Sequence, residues 1–166
     1  EAVLRPVDAV TINGSLAFLD AKYKSYVDGG IDVSNNRAFP HAPKTTASAG
    51  IDWKVIQGDW GKLNLYGDLS YVSEYYTFPY ALSAPALSDQ VAGTSRSPGR
   101  TIVNLRATLG EIPLGGATVD VSAFVRNLTR ERNPSNFIDF GPGFGGLLLG
   151  YFPDPRTFGV TAGIRF

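Results

Sequence analysis

Arg156-Thr-Phe-Gly-Val-Thr-Ala-Gly-Ile-Arg-Phe166 alternates without a break. Phe158, Val160, Ala162, Ile164 and Phe166 fall on one face, and Thr157, Gly159, Thr161, Gly163 and Arg165 on the other. Successive side chains point to opposite faces only in a β-strand, so period two reads as strand. The apolar face runs to the last residue, an aromatic carrying the free carboxylate. A soluble protein seldom exposes such a stripe. A transmembrane β-barrel uses both faces, one against lipid and one against a polar lumen.

The same pattern recurs upstream. Strands are expected at about 10–22, 45–55, 62–73, 101–109, 117–128 and 156–166. Ile51, Leu63, Leu65, Val103, Leu105, Val119, Val121, Val125 and Ile164 are expected on the lipid side. Asp52, Lys54, Asp68, Arg106, Asp120, Arg126 and Arg165 occupy polar phases, where solvent or pairing within a lumen would satisfy them. Gln57–Gly61 and Glu111–Gly116 are short connections. Asp28–Pro43, Tyr76–Ser97 and Arg132–Asp154 are long and rich in turn formers. Short turns alternating with long loops are the habit of outer-membrane barrels, with long loops outside and short turns in the periplasm. The expected fold is therefore an all-β, antiparallel, up-and-down transmembrane barrel, seen here as roughly six strands. Phe166 would lie at the periplasmic rim.

Composition narrows the functions. The formal net charge is zero, so electrostatics gives no case for nucleic acid. Cysteine is absent, which removes disulfides and thiolate metal sites. Methionine is absent as well, so Glu1 reads as something other than a translation start. No apolar run approaches the roughly 18–20 residues of a membrane helix. No nucleophile–base or paired-carboxylate constellation stands out, so an enzyme is not expected, and neither is a cofactor or a metal.

Several motifs carry two readings. Gly141-Pro-Gly-Phe-Gly-Gly146 matches G-x-G-x-x-G, but Pro153 and Pro155 follow where a dinucleotide site needs a helix. Asn127-Leu-Thr129 matches a glycosylation sequon. Asp28, Asp32, Asn35 and Asn36 could offer oxygen ligands to calcium, though turn chemistry explains them equally. His41 is the single histidine and sits between Pro40 and Pro43, the place of a solvated loop residue. Tyr75, Tyr76, Phe78 and Tyr80 lie where the third expected strand leaves the membrane. They read as an interfacial aromatic girdle or as a ligand-contacting patch at a receptor mouth.

Three stretches carry a family resemblance. Pro155-Arg156-Thr157-Phe158-Gly159 through Phe166 resembles the C-terminus of TonB-dependent outer-membrane receptors. Val125-Arg126-Asn127-Leu128-Thr129 is similar to the Asn-Leu motif before their last extracellular loop. Ala42-Pro43-Lys44 is similar to the Pro-Lys step that opens one of their strands. The resemblance implies a barrel of about 22 strands around a plug, importing a scarce ligand, an iron–siderophore first, with energy relayed by the TonB complex. Neither a plug nor a TonB box is recognisable, so the chain would be the C-terminal segment of the barrel. Its implied partners are outer-membrane lipid, the remaining strands and plug, the TonB complex and the barrel-assembly machinery. That machinery would read Phe158, Val160, Ile164 and Phe166.

Open strands in lipid leave unpaired backbone groups costing several kcal/mol each. The sheet therefore needs completion by further strands or by other copies. Two alternatives stand beside the importer: a passive pore or small barrel closed by self-association, and a soluble β-sandwich binding module whose apolar faces would meet in one core.

Overall fold

The computed structural model describes residues 1–83 and 96–166, so part of the expected loop Tyr76–Ser97 lies outside the described residues. Its main element is one seven-stranded antiparallel sheet. In chain order the strands are β1 (Ala2–Val7), β2 (Val10–Phe18), β3 (Thr45–Gly58), β4 (Gly61–Val72), β5 (Arg100–Leu114), β6 (Ala117–Arg126) and β7 (Thr157–Arg165). Each pairs with the next, so spatial order equals chain order, the up-and-down arrangement the alternation implies. The sheet is open, with β1 and β7 at its edges.

The register confirms the faces. Val119 pairs with Ile164 and Val125 with Phe158. Leu105 pairs with Val125 and Gly67, and Leu65 with Ala107. Ile51 also faces Gly67. The apolar residues so aligned form one continuous side. Nothing packs on it: Ala38 and Ala117 are the only buried apolar residues among the described ones. A sandwich needs a second sheet against that side. The seven long strands instead form a single sheet.

The structure corrects the expected strands at several points. A seventh strand, Ala2–Val7, precedes the first expected one. Its alternation is broken at Arg5-Pro6, where its register against β2 shifts between Leu4 and Val7. β2 stops at Phe18 rather than near Lys22, beyond which Asp20 pairs with Lys22 at 2.8 Å. β5 continues from Leu109 to Leu114 through a bulge. At the bulge Glu111 has φ 53°, and its N–H donates to Asp120 Oδ1 at 2.8 Å. The turn is then only Gly115-Gly116, at φ 55° and 92°, a two-residue hairpin that demands positive φ at both places. A second bulge, between Lys54 and Ile56, puts Ile56 rather than Val55 opposite Leu63. One inserted residue moves everything after it to the other face.

The connections β1–β2, β3–β4 and β5–β6 are tight and share one end of the sheet. The three long connections share the other. Within them lie short two-stranded antiparallel ladders pairing Val27–Asp28 with Ile31–Asp32, Tyr75–Tyr76 with Arg96–Ser97, and Asn136–Asp139 with Leu148–Tyr151.

Candidate functional site

The polar side of the sheet is a wall of cross-strand pairs. Ser15 Oγ meets Ser48 Oγ at 2.8 Å, and Thr108 Oγ1 meets Ser122 Oγ at 2.8 Å. Near the tight turns Lys62 pairs with Glu111 and Arg165 with Asp120, each at 2.6 Å. Higher up, Asn104 Nδ2 donates to Asp68 Oδ2 at 2.8 Å, and Asn104 Oδ1 accepts the Asn127 N–H at 3.0 Å. Phe124 is a large apolar residue in the polar phase. Its ring lies over Gly159, where any Cβ would overlap it. Arg106, directly opposite Phe124, and Arg126 each place a guanidinium over that ring, at 5.7 and 5.4 Å. The wall opens there into a hollow of about 380 Å³ that Tyr66 and Asp68 also line.

The long loops interlock into a crown. Asn127, buried and at φ 51°, is the hub. Its Nδ2 donates to the carbonyls of Glu131 and Asp154, both at 2.9 Å. Its Oδ1 accepts the Glu131 N–H at 2.8 Å and the Thr129 hydroxyl at 3.2 Å. Burial and full hydrogen bonding make Asn127 a clamp, not an accessible glycosylation site. Ser97, with no exposed surface, donates to the Pro134 carbonyl at 2.8 Å and accepts from Arg100 at 2.9 Å.

The aromatic cluster is the seam of this crown. Tyr75 donates to the Ser135 carbonyl at 2.5 Å and carries the Arg100 guanidinium 5.6 Å above its ring. Tyr76 stacks with Arg96, which pairs with Glu74. Tyr80 donates to Asp139 at 2.8 Å, and Phe78 packs 5.6 Å from Tyr80. The first loop joins them through backbone bonds: His41 N–H to the Tyr76 carbonyl and Ala38 N–H to the Tyr80 carbonyl, both at 2.8 Å. All four aromatics are half-buried. Tyr75 and Tyr76 also line a depression of about 730 Å³ between the first two loops, together with Tyr23, Phe39 and Lys44.

The other singled-out residues take local roles. Asp32 Oδ1 accepts the N–H groups of Ser34 at 2.9 Å and Tyr26 at 3.1 Å. These bonds, Ser34's first, hold its carboxyl down at about 2. Asp28 pairs with Arg37 at 2.6 Å, and Asn36 bonds Ser83. Asp28, Asp32 and Asn36 thus spend oxygens on different partners, and Asn35 lines the depression between the first two loops. Gly141–Gly146 is the tip of the third-loop hairpin. Gly146 N–H closes on the Gly141 carbonyl at 3.1 Å, and a strand, not a helix, follows. That removes the dinucleotide reading. Sequence reasoning passed over Phe124, Ser97 and Asn104. Only Phe124 left a sign, an aromatic out of phase opposite a glycine.

A polar wall, an uncovered apolar face, tight turns at one end and interlocked loops at the other define a segment of an outer-membrane type of β-barrel. The family described as TonB dependent receptor-like, beta-barrel matches residues 4–128, three quarters of the sequence, and the chain belongs to it. Members of this family are bacterial outer-membrane transporters rather than enzymes. The fold is shared with the crystal structure of BauA, the ferric preacinetobactin receptor from Acinetobacter baumannii. That likeness has a TM-score of 0.63 at 23% identity, over 98% of this chain and 20% of that one. The chain thus spans about a fifth of that receptor's length. No curated protein matches it.

Proposed function

We propose that this chain is the C-terminal barrel segment of a TonB-dependent receptor that actively imports a scarce ligand, an iron–siderophore complex first among candidates. The observation that carries the reading is the fold shared with a ferric-siderophore receptor over 98% of the chain. The apolar face then meets outer-membrane lipid. Further strands of the parent receptor close the edges at β1 and β7, a plug fills the lumen, and the TonB complex acts through that plug. The crown is extracellular, and its aromatic seam with the adjoining depression is where a ligand first lands. The tight turns and Phe166 are periplasmic. The test is uptake of radiolabelled ferric siderophores by cells carrying the full-length receptor. Uptake should stop on loss of TonB or of the proton gradient. Uptake that continues without either would establish a passive pore instead.

The assembly role belongs to the same reading. Phe158, Val160, Ile164 and Phe166 are all exposed along an edge strand whose outer backbone groups are free to pair. An extended strand with alternate apolar side chains is suited to β-augmentation by the barrel-assembly machinery. Deleting Phe166 from the full receptor should slow insertion while leaving the heat resistance of folded molecules nearly unchanged. Normal insertion with earlier melting would reduce Phe166 to a rim residue.

A further inference from the structure

The wall's arginines are satisfied in different ways. Arg165 has Asp120, and Arg100 has Ser97 Oγ and the Tyr75 hydroxyl. Arg106 and Arg126 have only the ring of Phe124, and no carboxylate among the described residues reaches either. A ring attracts a guanidinium's charge but accepts none of its five N–H bonds. Stacking also holds the planar fork in place, which lowers the entropy lost when an oxyanion docks. The ring itself is held against Gly159. Both arginines are exposed and line the same hollow of about 380 Å³. The third charged group there, Asp68, is engaged by Asn104, which the Asn127 N–H fixes in turn.

From this geometry we infer that Arg106 and Arg126, spaced by Phe124, form a receiving site for one oxyanion group of the transported solute, a carboxylate above all. The inference rests on the transporter reading and adds the chemical class of solute that the wall selects. Two forks side by side suit bidentate oxygen pairs. Asp68 beside them disfavours a second negative group in the same hollow.

The test uses the full-length receptor in detergent, with citrate alone as probe, followed by calorimetry. Citrate should bind saturably and less tightly as salt rises. R106Q and R126Q should each weaken binding by about tenfold or more. The R106K/R126K pair, which keeps charge but loses the fork, should fall between. It also serves where the glutamine variants fail to insert, judged by heat-dependent gel migration. K54Q, on the wall but away from the hollow, should bind as the parent does. Absence of saturable binding, or equal loss in K54Q, overturns the site. So does a parent that ignores citrate while the double glutamine variant melts earlier, because an internal acidic side chain then fills the pair. Citrate binding that depends on the arginines in a receptor lacking TonB-dependent uptake would overturn the transport reading alone.

Discussion

The wall and the crown are built by opposite means. The wall repeats one rule: backbone ladders between neighbours, apolar residues outward, polar residues inward. Any two adjacent strands look alike, and most cross-strand pairs could be exchanged for similar ones. The crown repeats nothing. Asn127 joins Glu131 to Asp154, Ser97 reaches Pro134, and Tyr75 reaches Ser135, each contact specific to its atoms. A repeated rule yields a surface tolerant of substitution on the right face. A set of single contacts yields a shape that can carry specificity and that single substitutions can undo.

The largest expected effect tests the wall's rule. Val121 and Ser122 are neighbours on opposite faces. Arginine at Val121 should cost about 2–4 kcal/mol of stability near the bilayer midplane, against little at Ser122. Unfolding of the full receptor in lipid vesicles measures both. Equal costs would show that the apolar side does not face lipid.

The next effect concerns a crown-like contact within the wall. Gly159→Ala puts a Cβ into the Phe124 ring and should cost about 1–3 kcal/mol as the ring is displaced. In a Phe124→Ala background the same change should cost much less. If the two costs agree, the ring is not what the glycine accommodates.

Asn127→Ala should break the crown and spare the wall. It leaves the Glu131 and Asp154 carbonyls without their donor and puts alanine at φ 51°. A fully buried group left unpaired costs about 1–3 kcal/mol, and less is expected here because Glu131 is half-buried and Asp154 exposed. Limited proteolysis should then cut the third loop, near Arg130–Asn133, with strand content by circular dichroism unchanged. Loss of strand content would mean that the clamp holds the wall too.

This contrast also explains what could be read beforehand. The faces of β3 to β7 follow from alternation because burial acts on every second residue. What alternation misses are its interruptions. Pro6 hid β1, and the bulges at Val55 and Glu111 changed phase where nothing in the local composition required it. The aromatic cluster was visible as residues but not as a seam, because its partners Ser135, Asp139 and Arg100 are distant in sequence. Ser97 is an ordinary serine until folding brings the Pro134 carbonyl to it.

The smallest effect belongs to a crown contact on the surface. Asp32 accepts the Ser34 and Tyr26 N–H groups, which hold its carboxyl at about 2 rather than near 3.8. A depressed carboxyl contributes stability that is fully present above its unfolded value and is lost as pH falls through the folded one. The loosening should therefore begin below about pH 4 and be complete only near the folded value, and it should stay in the first loop. The amide shifts of Ser34 and Tyr26 report it directly. Asp32→Asn keeps an accepting oxygen but removes the titration, so those shifts should become flat with pH. A midpoint near the ordinary carboxylate value in the parent would show that the two N–H bonds do not hold the loop. Movement of wall amides in the same range would show that crown and wall are not independent.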